Sequence, residues 1–158
     1  MVKPSTQYQD VMINAPFGAV GIHIKNDCVT RVTLFPAKQT ERNVDGSCAQ
    51  NVKQQIAQYF QNADTKIDVP FEIAGTQFQQ HVWKVISAIP VGKVLTYSEL
   101  ARKVGSGPRA VANACGANKL PLLIPCHRVV AKNGLGGFMQ SVQDGLKIKE
   151  WLLAHESK

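Results

Sequence analysis

Between Pro90 and Gly116 the chain is punctuated at short intervals. Thr96-Tyr97-Ser98-Glu99 is a T-x-x-E capping box, in which the Thr hydroxyl and the Glu carboxylate satisfy free amides at a helix start. Gly105 stops that helix near Val104, Ser106-Gly107 turns the chain, and Pro108 suits the first turn of a second helix. Ala110, Val111 and Ala114 lie on one side of the second helix, with Arg109 and Asn113 pointing elsewhere. Helices this short are marginal alone and must pack on neighbours. Two of them joined by a Gly-containing turn read either as a helix-turn-helix or as a generic helical hairpin.

The flanking segments supply the partners. Thr76 can cap a helix carrying Phe78, Val82, Val85, Ile86 and Ile89, stopped at Pro90. Val129-Val130, Asn133-Gly134 and a Gly-rich return to Phe138 predict a hairpin, the wing of a winged helix. The first half is β-rich, then helical. Val11-Met12-Ile13 is a short apolar run, and Ala19 to Ile24 and Val29 to Leu34 flank the turn signal Lys25-Asn26-Asp27, which predicts a hairpin. Ala37 to Gly46 is polar loop. From Ser47 to Ala63, Val52, Ile56, Tyr59 and Phe60 recur on one helical face. Asp64 to Phe71 is a connector or short strand. The expected domains are 1–70 and 71–158, with the boundary near residues 65–75. The fold class is α+β.

Composition narrows the function. Hydrophobic residues make up 44% and charged residues 18% of 158, which excludes dominant disorder and gives enough apolar material for a core. No run of 18 apolar residues exists, so no membrane helix is expected, and MVKPSTQYQD lacks the apolar centre of a secretory signal. Residues 1–70 carry seven basic and six acidic residues; residues 71–158 carry eleven and five. The net +7 is thus almost all in the second half, which fits a polyanion partner, nucleic acid first, or a solvated basic face without a partner. Four cysteines, Cys28, Cys48, Cys115 and Cys126, form no C-x-x-C, which fits a reduced intracellular setting. The first three read as buried structural thiols. Cys28, Cys48 and His23 have no convincing ligand spacing, so no metal is expected.

Chemistry concentrates in Leu122-Leu123-Ile124-Pro125-Cys126-His127-Arg128-Val129-Val130. A thiol, an imidazole and a guanidinium sit inside an apolar stretch, where burial costs several kcal/mol unless they are paired. A proton-accepting neighbour raises the thiolate fraction of a cysteine. In an extended chain His127 would face away from Cys126, so a bridging water is needed for contact. The alternative is a buried Cys beside a core His, with Arg128 tying two segments together. At about 100° per residue, Val142, Leu146, Lys149, Leu152, Leu153 and Glu156 share one arc of the last helix, with Trp151 off it. Two ionisable groups inside an apolar stripe need partners. Glu156 either receives an imidazole N–H, completing a Glu–His–Cys relay, or ends a frayed turn in water.

Ile124-Pro125-Cys126-His127-Arg128-Val129 resembles the active-site signature of the O6-alkylguanine-DNA alkyltransferases, also called methylated-DNA–protein-cysteine methyltransferases. Pro90-Val91-Gly92-Lys93-Val94 with Thr96-Tyr97 resembles the family's helix-turn-helix entry, and Arg109-Ala110-Val111 with Gly116-Ala117-Asn118 its recognition helix and following turn. Lys149-Glu150-Trp151-Leu152-Leu153-Ala154-His155-Glu156 resembles its last helix. The match covers about residues 75–156; the first 70 residues match in architecture only.

The resemblance implies an RNase H-like sheet-and-helix domain followed by a winged helix-turn-helix-like domain. It implies an irreversible, single-use transfer of an alkyl group from guanine O6 in duplex DNA to Cys126. Alkylated thymine as a further substrate is left open. His127 would act as base through a water and Glu156 would orient it. Asn118 would brace the adjoining turn, Tyr97 would assist the departing guanine, and Lys149 would stand near the site. For DNA, Arg109 would fill the gap left by a flipped nucleotide read from the minor groove, with Tyr97, Ala110, Asn113, Ala114, Gly116 and Arg128 along the interface. Val129, Phe138 and Met139 would line the substrate pocket, with Phe138 standing where many members have Tyr. No cofactor, membrane or obligate protein partner is implied, and the location is cytoplasmic, or nuclear in a eukaryote. Two competing readings remain: a winged-helix DNA-binding protein that transfers nothing, and a Cys–His hydrolase of small acyl substrates.

Overall fold

The computed structural model describes residues 10–137 and 144–157. It is a mixed α/β structure of small sheets and helices, divided into two compact units, Met1–Ile73 and Ala74–Lys158.

In the first unit an antiparallel sheet is built from β1 (Val11–Ala15), β2 (Gly18–Lys25) and β3 (Cys28–Phe35), in the order β1-β2-β3. The β2–β3 turn follows from its two residues: Asn26 and Asp27 both have positive φ, 53° and 60°, the geometry of tight hairpin turns. Gly18 is required by close approach. Its φ is +152°, and a Cβ there would lie 2.0 Å from the Phe35 carbonyl oxygen. β2 is the central strand, and Gly18 to Ile22 are buried throughout. Both sheet edges are blunted by single bridges. Met12 and Arg42 exchange backbone hydrogen bonds on one side, and Val29 bonds Pro70 and Glu72 on the other. Helix α1 (Ser47–Gln61) buries Ala49, Val52, Ile56 and Tyr59, a stripe at spacings of three and four, and packs beside β1. Burying a side chain such as Ile56 contributes roughly 1.5–3 kcal/mol.

The second unit holds α2 (Gln77–Ser87), β4 (Leu95–Thr96), α3 (Tyr97–Val104), α4 (Pro108–Gly116), a 3-10 turn at Cys126–Arg128, β5 (Val129–Val130) and α5 (Gly145–Glu156). Reciprocal capping boxes open α2, between Thr76 and Gln79, and α3, between Thr96 and Glu99. Gly105 ends α3 in the left-handed conformation, and Pro108 occupies the first turn of α4. Helices α2, α3 and α4 pack on one another around Val82, Ile86, Leu100 and Val111. The Trp83 indole N–H donates to the Ala114 carbonyl at 2.8 Å, fastening α2 to the end of α4.

Three sequence expectations are corrected here. Among the described residues Val129-Val130 has no antiparallel hairpin partner. It pairs in parallel with β4, Leu95 opposite Val129 and Thr96 opposite Val130, and the return is a single Ala131–Gly134 bridge. β4 runs directly into α3, which packs against both β4 and β5 and so keeps the two strands side by side. Phe138 lies outside the described residues. The inward face of α5 is rotated from the expected arc: Ile148 is buried and Leu146 is 47% exposed, while Val142 lies outside the described residues. Cys28, Cys48 and Cys115 are half-buried free thiols rather than fully buried ones, and Cys48 donates to the Asp27 carbonyl at 3.2 Å.

Candidate active site and nucleic-acid face

The site is set by how the chain runs from α4 to β5. Leu120 to Cys126 are buried, Leu122 takes a left-handed φ of 75°, and Ile124 N–H bonds the Leu120 carbonyl. Cys126 N–H turns back to Ile124 O at 2.7 Å, and Arg128 N–H to Pro125 O at 2.9 Å makes the 3-10 turn that follows. This coiling removes the extended geometry that would have sent His127 to the face opposite Cys126.

Asn118, just past α4, braces this turn at two ends. Its side-chain N–H group donates to Ile124 O at 3.0 Å and to Cys126 Sγ at 3.2 Å, and its Oδ1 accepts from Leu120 N–H at 2.8 Å. Cys126 is 8% exposed. Burial pushes its thiol pKa up, opposed by the Asn118 donor and the Lys149 charge. The resting sulfur therefore keeps its proton, and a nucleophile forms only when a base removes it.

That base is in the same turn. His127 is 1% exposed, and its Nε2 lies 2.8 Å from Glu156 Oε2. The carboxylate accepts, so Nε2 carries the proton and Nδ1 presents a lone pair. Nδ1 is the one buried side-chain polar atom among the described residues without a hydrogen-bond partner. Burial first, with the Arg128 and Lys149 charges, lowers the His127 pKa against the raising effect of Glu156, so the ring is neutral at neutral pH.

Glu156 is anchored from a second side. Arg128 Nε donates to Oε1 at 2.8 Å, a terminal N–H of the same guanidinium donates to Oε2 at 2.9 Å, and the other terminal nitrogen donates to Ile89 O at 2.7 Å. Arg128 is thus engaged in this ion pair, tying its own turn to α5 and to the chain just after α2. Sequence reading missed the Ile89 carbonyl and the Trp83 brace. Neither backbone oxygens nor a single indole in an apolar stripe leaves a signal in composition.

Lys149 is fully buried. Its ammonium donates to Val129 O at 2.7 Å and Gly137 O at 2.9 Å, and stands 6.0 Å from the centre of the Tyr97 ring. Burial pulls its pKa down to about 8. The Tyr97 hydroxyl also points at Gly137 O, at 3.5 Å, and burial raises its pKa, so it remains a donor. Gly136 permits this convergence: its φ is +75°, and a Cβ would lie 2.7 Å from the Tyr97 ring. Val129 is buried at the edge of the cluster, and Met139 and Phe138 lie outside the described residues.

On α4, Arg109 and Asn113 are exposed one turn apart, Ala110 and Gly116 are half-buried, and Ala114 is turned inward at 2% exposure. The outward face is therefore carried by Arg109 and Asn113, not by Ala114. Among the described residues no group of three His, Cys, Asp or Glu side chains gathers as a metal site, and no helix is long and apolar enough to cross a membrane.

Residues 77–158 match the family model described as 6-O-methylguanine DNA methyltransferase, DNA binding domain. The chain is 42% identical over 129 residues to the regulatory protein Ada of Salmonella typhimurium, covering 80% of this chain and 35% of that one, so it spans about a third of that relative's length. It is 34% identical to a methylated-DNA–protein-cysteine methyltransferase of Metallosphaera sedula, covering 86% of this chain and 87% of that one. A crystal structure of Mycobacterium tuberculosis OGT in complex with DNA is similar at a TM-score of 0.77 and 30% identity, covering 92% of this chain and 91% of that chain.

Proposed function

The chain belongs to the O6-methylguanine-DNA methyltransferase family, and from that premise we propose that it repairs alkylated DNA by taking the lesion's alkyl group onto Cys126, once per molecule. The observation that carries this reading is the orphaned Nδ1 of buried His127, in the same turn as Cys126 and tied through its other nitrogen to Glu156. A lone pair with no internal partner next to a protonated thiol is a base waiting for a proton.

In the proposed reaction the thiol proton passes through one water to His127 Nδ1. The sulfur electron pair forms a bond to the alkyl carbon as the carbon–O6 bond breaks. Guanine leaves, its developing charge quenched by a proton or hydrogen bond from the Tyr97 hydroxyl. Such stabilisation matters only in the transition state and so speeds the chemical step. Asn118 steadies the developing thiolate through its 3.2 Å contact with Sγ. The product is a thioether, which no base in the site can displace, so the protein is consumed.

A buried thiol cannot reach O6 in a stacked duplex, so the target nucleotide must be extruded. The proposed platform is α3 and α4 as a helix-turn-helix laid on the minor groove, with exposed Arg109 filling the vacated stack. The second half then reads as a winged helix-like module and the first as an RNase H-like support. Duplex DNA carrying O6-alkylguanine is the proposed partner, and the charge of residues 71–158 supports that choice.

Incubation with duplex DNA containing O6-methylguanine, followed by intact-protein mass measurement, tests the proposal. One methyl replacing one hydrogen per chain is expected, with Cys126→Ala unmodified yet still binding DNA. A methyl group on the Cys126→Ala protein, or repeated turnover, would overturn it.

A further inference from the structure

We infer that Arg128 is a positioning residue: its guanidinium fork fixes the Glu156 carboxylate and, through it, holds His127 in the tautomer that leaves Nδ1 open. The inference rests on the reading of His127 as the base. It goes beyond that reading by assigning the geometry of the base to a group that touches neither the thiol nor the lesion.

Glu156 is in an unfavourable place for an anion. It is 4% exposed and is the last residue of α5, where the helix dipole is negative. A lone carboxylate there would be driven to protonate or to leave the interior. A protonated carboxyl would no longer be a firm acceptor for Nε2–H, and the two tautomers of His127 would compete. Arg128 removes that freedom. It takes one carboxylate oxygen with Nε and the other with a terminal nitrogen, at 2.8 and 2.9 Å, while its third contact, to Ile89 O at 2.7 Å, fixes the fork itself. Planar two-point pairing of this kind belongs to arginine and not to lysine. The shared oxygen, Oε2, is the one that faces His127.

The charge acts as well as the shape. The charged groups influencing His127 are Glu156 and Lys149 from α5 and Arg128 from its own turn. Glu156 favours the imidazolium, and the two cations oppose it. With Arg128 present, Glu156 is already compensated and needs no positive ring. Without it, the carboxylate would recruit a proton to His127 and occupy the Nδ1 lone pair.

The test is nitrogen NMR of the His127 imidazole across pH, paired with single-turnover methyl transfer, in wild type, Arg128→Met and Arg128→Lys. In the wild type the ring should be neutral with the proton on Nε2. In Arg128→Met its titration should move up by about one pH unit, and the acid limb of transfer should move with it. Arg128→Lys keeps the cation but not the fork. It should shift the titration less and still show mixed tautomers, and this milder variant decides the matter if Arg128→Met does not fold. In a Glu156→Gln background Arg128→Lys, which keeps the cation, should no longer change the tautomer or the titration, and Arg128→Met should move the titration only by the direct repulsion that is lost. An unmoved titration and tautomer in both Arg128 variants would overturn the inference. So would a loss confined to DNA affinity with a shallower salt dependence, the mark of a phosphate contact. If the wild type accepts no methyl group, the proposed function fails, while the NMR arm still judges Arg128.

Discussion

Replacing Lys149 with Met removes a buried ammonium while keeping the length of its stem. Burial lowers the Lys149 pKa from 10.5 to about 8. At about 1.4 kcal/mol per pH unit, holding the charge inside costs the folded state about 3 kcal/mol at most at neutral pH. Against this stand its donations to Val129 O and Gly137 O, at 2.7 and 2.9 Å. In Lys149→Met the buried Val129 carbonyl loses its partner, at a cost of roughly 1–3 kcal/mol, whereas exposed Gly137 can turn to water. The two effects nearly cancel, so at pH 7 the variant should match the wild type within about 1 kcal/mol. A depressed pKa in the folded state means that the lysine's contribution is fully present above pH 10.5 and is lost as pH falls through about 8. The wild type should therefore become the more stable protein at high pH, by about 2–3 kcal/mol. Tyr97, raised by burial, weakens both proteins alike as pH rises, while Cys115, pushed up to about 12, and Cys126 are held down by Lys149 and so weaken the variant slightly more, in the same direction. Urea unfolding followed by tryptophan fluorescence at neutral pH and near pH 10.5 measures it. A stability difference that does not change between the two pH values would refute the account of Lys149 as a desolvated cation.

Asn118→Ala should raise the Cys126 thiol pKa further, because the amide that favours the thiolate is gone. Iodoacetamide labelling of Cys126 should shift to higher pH, with methyl transfer at neutral pH slowed about tenfold; unchanged labelling would count against the contact. Arg109→Ala should leave reaction with the free alkylguanine base intact and slow repair in duplex DNA, since Arg109 is exposed on α4 while Cys126 is buried. Equal slowing on both substrates would contradict its role as a wedge.

Much of this molecule is legible from local chemistry. The T-x-x-E box at Thr96, the cap at Thr76, the stop at Gly105 and the hairpin over Asn26-Asp27 depend only on neighbours within a turn, and each appears as read. Pairing and rotation are less legible because they depend on distant segments. Val129-Val130 pairs with Leu95-Thr96, a segment more than thirty residues earlier that α3 holds beside it. Leu146 loses the core to Ile148 because the direction α5 faces is settled by its neighbours, not by its own apolar content. At the site, buried Lys149 and Glu156 stood out as ionisable groups in an apolar stripe, and both are buried and partnered. Arg128 does what the sequence offered as its structural alternative, tying two segments together through Glu156 and Ile89.

One nitrogen, the Lys149 ammonium, grips the chain at both Val129 and Gly137. The intervening residues form a closed ring whose tip, Lys132 to Gly134, is in solvent, and a side chain at Gly134 would meet nothing within 4 Å. Doubling the length of such a flexible ring adds only about 0.6 kcal/mol of closure entropy. The tip is thus a natural graft point, where an epitope or fluorophore-bearing peptide can be spliced a few residues from the reactive sulfur while the clamp holds the stem in register.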